Sequence, residues 1–122
     1  MAAKDDLGRA GEARAAQHLE HLGYTIVDRN WRCRGGELDL VALTARDIVI
    51  VEVKTRRGEG FGHPFEAIDA RKRARLWRLA MAWIAGHREL VQGRRLRFAA
   101  VGIVGDDPAR GRLELIDDLD LT

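Results

Sequence analysis

Leu7, Gly11, Ala15, Leu19 and Leu22 recur three or four residues apart, a small and apolar stripe of helical period near the start of the chain. Asp5 or Asp6 can cap this helix and Gly23 can end it. "YTIVD", residues 24–28, is β-branched and bounded by Gly23 and the turn-prone Asn30, so it predicts a first strand. Two longer apolar runs follow, Glu37 to Leu43 and Ile48 to Thr55, joined across "TARD" as a hairpin. "RRGEGFGHP", residues 56–64, predicts a loop. The next helix is long. Asp69 can cap it, Leu76, Ala80, Trp83, His87 and Leu90 share one face, and Arg71, Arg75 and Arg78 line its flank. "RLRFAAVGIVG" and "RLELID" predict two last strands around the turn "DDPARG". The order αβββαββ predicts an α/β fold, a mixed central sheet flanked by helices, and 122 residues suit one domain spanning 1–122.

The hairpin breaks the pattern that defines it. Glu37, Asp39, Glu52 and Lys54 stand among Val, Leu and Ile residues on strands with apolar residues on both faces, as in a sheet covered on both sides. If Thr44 to Asp47 form the loop, opposed residues sum to 91, so Asp39 falls across from Glu52 and Glu37 across from Lys54, all four on one side. Opposed Cβ atoms lie about 5 Å apart, and two carboxylates that close drive one to take up a proton unless a cation intervenes. Oxygen-only ligation with room for water and phosphate suits Mg²⁺ or Mn²⁺. Such an ion polarises a phosphoryl oxygen, and Lys54 would orient the attacking water or offset charge in the transition state. The chemistry indicated is phosphodiester hydrolysis. The plain alternative is a Glu37–Lys54 cross-strand pair beside solvated carboxylates that bind nothing.

Composition narrows the setting. No apolar run reaches membrane-span length, and the first residues lack a signal-peptide core, so membrane insertion and secretion are disfavoured and the cytoplasm is expected. The lone Cys33 suits a reducing compartment. Charge is uneven behind a net +2: Ala70 to Phe98 holds nine Lys or Arg against one acid, whereas Asp106 onward holds six acids against two arginines. A basic excess of that size is the footprint of a polyanion partner such as nucleic acid. Arg29, Arg32, Arg34, Arg56, Arg57, Lys72 and Arg73 are the candidate phosphate contacts.

At "GELDL" and "IVIVEVKTR" the chain resembles the D…ExK signature of the PD-(D/E)XK nuclease superfamily, and as a whole it is similar to the YraN-like family of small uncharacterised bacterial proteins. The matching blocks are "GRAGEARAAQHLEHLGY", "RNWRCRGGELDLVA", "VEVKTRRGEGFG" and "ARKRARL", in that order, over roughly three quarters of the chain. The resemblance implies the restriction endonuclease-like αβββαβ core. It also implies Asp39 and Glu52 as metal-binding acids, Lys54 as the catalytic lysine, and Glu12 as a first-helix acid near the metal. A metal-dependent endonuclease acting on DNA, including branched or structured DNA, is the activity it implies, and its resolvase-like relatives imply a homodimer. The sequence departs from the pattern once. "RFAAV" places Ala99 where many relatives carry an acid.

Other features were weighed against these. His18 and His21 lack a third ligand at metal-like spacing, and "GEGFG" lacks the Lys-Ser/Thr ending of a phosphate-cradling loop, which leaves it a flexible loop beside the site. Trp77 and Trp83 fall on the amphipathic helix and read as packing residues, while Trp31, between Arg29 and Arg32, is the aromatic to watch for contact with an unpaired base, although packing is the leading reading there too. Two non-catalytic readings stand beside the nuclease: a nucleic-acid-binding module with the same basic rim, and an interaction subunit docking through the acidic tail, residues 106–120.

Overall fold

The computed structural model describes residues 2–58, 60 and 62–121. Its elements follow the predicted order: α1 Ala2–His21, β1 Thr25–Cys33, β2 Gly36–Leu43, β3 Asp47–Arg56, a 3-10 turn Pro64–Ala67, α2 Ala70–Gly86, a one-turn α3 Arg88–Val91, β4 Arg95–Val104 and β5 Arg112–Ile116. The five strands form one sheet in chain order, antiparallel except for the parallel pair β3–β4, whose crossover carries α2. The fold is α/β with a mixed sheet flanked by helices.

Both faces are covered. Ala15, Ala16 and Leu19 of α1 pack on Val49, Val51 and Val101, and Leu76, Leu79, Ala80 and Trp83 of α2 pack on the opposite side against Ile48 and Ile50. Small residues let α1 lie close: a Cβ on Gly11 would stand 2.0 Å from Thr55 Oγ1 on β3. Asp69 caps α2 by accepting from the Lys72 amide at 2.9 Å, as its position predicted. The helix stops at Gly86 rather than running on through His87 and Leu90, which belong to the turn and to α3. At the other end α1 begins at Ala2, so positions 5 and 6 stand inside the helix rather than at its N-cap, where Asp5 or Asp6 was expected.

The predicted hairpin register holds from Leu43 opposite Ile48 to Leu40 opposite Val51, and the predicted pairs Asp39–Glu52 and Glu37–Lys54 lie beyond its end. Beyond Leu40 the two strands part. β1 also runs past the predicted end at Asp28 to Cys33, through Asn30, whose φ of +50° is the one positive value among described non-glycine residues. Asn30 falls between the pairs Arg29–Leu40 and Trp31–Leu38, hence opposite Asp39. Strand alternation fails here: Leu38 and Leu40, two residues apart, belong to opposite apolar layers. This local twist turns Asp39 toward β3.

Candidate functional site

Where β2 and β3 part, a cleft of about 660 Å³ opens, lined by Glu12, Glu37, Asp39, Glu52, Lys54 and Lys72 with Asn30, Arg9, Arg32 and Arg75 around them. Asp39 Oδ2 accepts the Val53 amide at 2.8 Å, replacing a ladder bond the splayed strands no longer make. Glu52 is 2% exposed. Its Oε2 takes two ammonium groups at once, Lys54 Nζ at 3.3 Å from its own strand and Lys72 Nζ at 3.2 Å from the first turn of α2.

Burial drives the Asp39 carboxyl up from its ordinary range to about 8, and the negative charge of Glu52 adds to the effect, with the Val53 amide opposing it. Glu12 is raised too, first by burial and then by the charge of Glu37, while hydrogen bonds with Asn30 and Asp39 work the other way. Without a cation between them, these carboxyls hold a proton that solvated acids would release. Glu12 reaches this position because Gly11 lets α1 sit against Thr55.

All four anomalous hairpin residues line the cleft, but their pairing differs from the register argument. Glu37 pairs with Arg32 across β1–β2 at 3.1 Å rather than with Lys54, because the β2–β3 ladder has ended before it. The basic residues divide. Arg32 and Lys72 line the cleft, and Arg56 and Arg57 line an adjoining recess that shares Glu12, Val53 and Lys54 and is closed by Gly58 and Gly60 of the glycine-rich loop. Glu59 and Phe61 of that loop lie outside the described residues. Arg29 and Arg34 are exposed and line neither space. Arg73 donates to the carbonyls of Ile68 and Asp120 at 3.0 and 2.9 Å, so its guanidinium fastens the C-terminal segment.

Packing holds for Trp31, which stands edge-on to His87 and against the α2 layer, whereas Trp77, read as a packing residue, is 50% exposed on α2. Trp83 is buried and donates to Asp28 at 2.9 Å. Ala99 packs in the α1-side apolar layer and does not line the cleft, so the residue lacking an acid stands apart from the carboxylates.

Asn30, Arg9 and Arg75 were not singled out as site residues by sequence reasoning, and Lys72 was read as a rim contact only. A signal for Lys72 existed. Arg71, Lys72 and Arg73 open α2, where the helix dipole disfavours cations, and Lys72 and Arg73 turn to a carboxylate and to carbonyls elsewhere. Among the described residues no three His, Cys, Asp or Glu side chains gather closely enough to cage an ion by themselves, and His18 and His21 join no such group. An ion held by Asp39 and Glu52 would complete its shell from backbone carbonyl, water and substrate oxygen, the habit of Mg²⁺.

Comparison with known proteins adds kinship. Residues 11–103 match the model of a family described as "Uncharacterised protein family UPF0102". The chain is 48% identical over 114 residues to a "UPF0102 protein" of Paenarthrobacter aurescens, covering 93% of each chain. It is 51% identical over 114 residues to one of Arthrobacter sp., covering 93% of this chain and 95% of that one. A third, from Acidothermus cellulolyticus, is 59% identical over 85 residues, 70% of this chain and 64% of its own.

Proposed function

This chain belongs to the uncharacterised protein family UPF0102, and from the cleft it carries we propose that it is a Mg²⁺- or Mn²⁺-dependent endonuclease hydrolysing phosphodiester bonds in DNA, on a restriction endonuclease-like core. The observation that carries the reading is the convergence of Asp39 and Glu52 in one cleft, with Lys54 against Glu52. Buried carboxylates side by side on a sheet covered on both faces are costly unless a cation or a substrate uses them.

The donor set fits the ion: two carboxylates, the carbonyl of Val53 and open solvent for the remaining ligands. The chemistry supplied by bound Mg²⁺ or Mn²⁺ is polarisation of a phosphoryl oxygen and a lowered pKa of water. The chain's own residues do the rest. Asp39 is held by the Val53 amide and Glu52 by its lysines, so both carboxylates are already oriented toward the cleft. Glu12 stands on the α1 side of Asp39 as a third acid. Lys54 orients the attacking water and offsets charge at the phosphate, and Arg9, Arg32 and Arg75 at the rim meet neighbouring phosphates.

The same geometry holds the observation that favours the second reading. Glu52 already has two ammonium partners, so a non-catalytic DNA-binding module could keep this network for structure alone. Calorimetric titration of Mn²⁺ into wild type, Asp39→Asn and Lys54→Ala, followed by incubation with supercoiled plasmid and a four-way junction, separates the two. The nuclease reading expects wild type to bind the ion and nick or resolve DNA, Asp39→Asn to lose both, and Lys54→Ala to bind the ion but cleave roughly a hundredfold more slowly. Equal salt-dependent DNA affinity in all three with no cleavage by any hands the site to the binding module.

A further inference from the structure

Lys72 presents a problem that the hydrolytic mechanism leaves open. Its ammonium is drawn into the cleft from the first turn of α2, its side chain is 21% exposed, and it shares a single carboxylate oxygen with Lys54. Two cations on one oxygen repel each other. Lys54 is committed to this place by its position on β3, two residues from Glu52 on the same side of the strand. Lys72 reaches the same atom from another element, and at the helix end where a cation is least favoured. A residue with these costs is kept there by the negative charge of the buried Glu52 carboxylate, with Asp39 beside it.

Resting on the metal-dependent reading above, we propose that Lys72 is a place-holding cation: it occupies Glu52 Oε2 when no divalent ion is present, and yields that oxygen and turns to the substrate phosphate when one binds. Three structural points support this. Lys72 contacts an oxygen of Glu52, one of the two carboxylates proposed to hold the ion. Its long, unbranched side chain can pivot from a fixed helix turn, because the Asp69 cap holds the backbone at Lys72 and leaves the ammonium free. The cleft that surrounds it gives the displaced ammonium somewhere to go. Lys72 is therefore a positioning residue that couples ion binding to the first turn of α2, the helix whose Arg75 lines the same cleft. No bond is made or broken in the exchange; one cation replaces another on a carboxylate.

The test reads ion affinity, where the place-holder and a merely structural lysine give opposite signs. Mn²⁺ is titrated calorimetrically into wild type, Lys72→Met, Lys72→Gln and Lys72→Arg at one pH and salt, with thermal melts to establish that each is folded. Removing a competing cation from beside the ion is expected to tighten Mn²⁺ binding roughly threefold to tenfold in the Met and Gln variants, while Lys72→Arg stays near wild type. Nicking by the Met and Gln variants is expected to fall although they bind the ion better, a split that simple loss of the site would not give. Unchanged or weaker Mn²⁺ binding in both neutral variants overturns the proposal while leaving the metal-dependent reading intact. Wild type without measurable binding beside variants that do bind supports it. If no protein in the set binds Mn²⁺, the metal-dependent reading fails and the place-holder with it.

Discussion

Asp39 concentrates the physics of the site in one side chain. Its carboxyl is pushed up to about 8 by burial and by Glu52, so the folded protein binds a proton there that the unfolded chain releases near pH 4. The sign follows from linkage: between those two values the native state holds more protons, so this group makes the fold less stable as pH rises, with the full loss reached above about 8. Asp39→Asn removes that slope. In the presence of a chelator, the variant is expected to gain on wild type steadily between about pH 5 and about pH 9, measured as the difference in Tm. Mn²⁺ added at the alkaline end should raise the wild-type Tm and leave the variant unmoved. The sequence showed Asp39, Glu52 and Lys54 readily, because period-two alternation and a short hairpin fix their positions. It did not show the partner of Glu37, since pairing by register assumes that the ladder continues, and it ends at Leu40–Val51. Nor did it show Asn30, whose positive φ breaks the strand it sits in. Asparagine tolerates that conformation, and here the sequence signal read as a strand end was a kink inside a strand.

Helix α1 reaches the site through a contact that leaves no room for a methyl group. Gly11 faces Thr55, and a Cβ added there would stand 2.0 Å from Oγ1, 3.1 Å from Cβ and 3.3 Å from Cγ2. Gly11→Ala should therefore lever α1 away from β3, costing about 1–3 kcal/mol despite the better helix propensity of alanine, and carry Glu12 away from Asp39. Thr55→Ala in the same chain removes the nearest atom and should recover more than half of the loss, leaving the residual contact with the Thr55 Cβ. Urea unfolding of the two single variants and the double variant measures this coupling, and additivity between the sites would mean that the helix is free to shift. The period of α1 was legible in the sequence but its start was not, because Asp5 and Asp6 satisfy a capping pattern that the backbone does not use. For α2 the cap was read correctly and the end overshot. Gly86 and His87 interrupt a stripe that continues in spacing but not in backbone. Periodicity locates the buried face of a helix, whereas its ends depend on backbone hydrogen bonds that the pattern does not encode.

At the scale of the whole molecule, the C-terminal segment is fastened onto the basic segment that precedes it. The basic segment and the acidic segment that looked like separate binding surfaces are joined through the backbone of the acidic one: Arg73 donates to the Asp120 carbonyl, Arg97 to the Asp117 carbonyl, and the Leu119 amide to the Phe98 carbonyl at 2.7 Å. Leu119 is itself buried, against the α2-side layer. The residues after β5 thus cover the stretch of β4 that lies before its pairing with β5 begins at Ala100. An open edge strand is exposed to unwanted pairing, and this covering removes much of that exposure. A docking tail and a fastened tail respond differently to removal. If residues 117–122 served only to capture a partner, a chain ending at Ile116 would unfold like the full one. Fastened as seen here, its loss removes the Leu119 side chain from the core, worth about 1.5–3 kcal/mol, and leaves Phe98 and Trp77 more open to water. The truncated chain is therefore expected to melt several degrees lower and to bind a hydrophobic dye where the full chain does not. Leu119→Ala alone should reproduce most of the fall in Tm, because the apolar contact and not the acidic charge is what the segment contributes; charge-neutralising Asp117→Asn and Asp118→Asn, which leave the backbone carbonyls in place, should change it little.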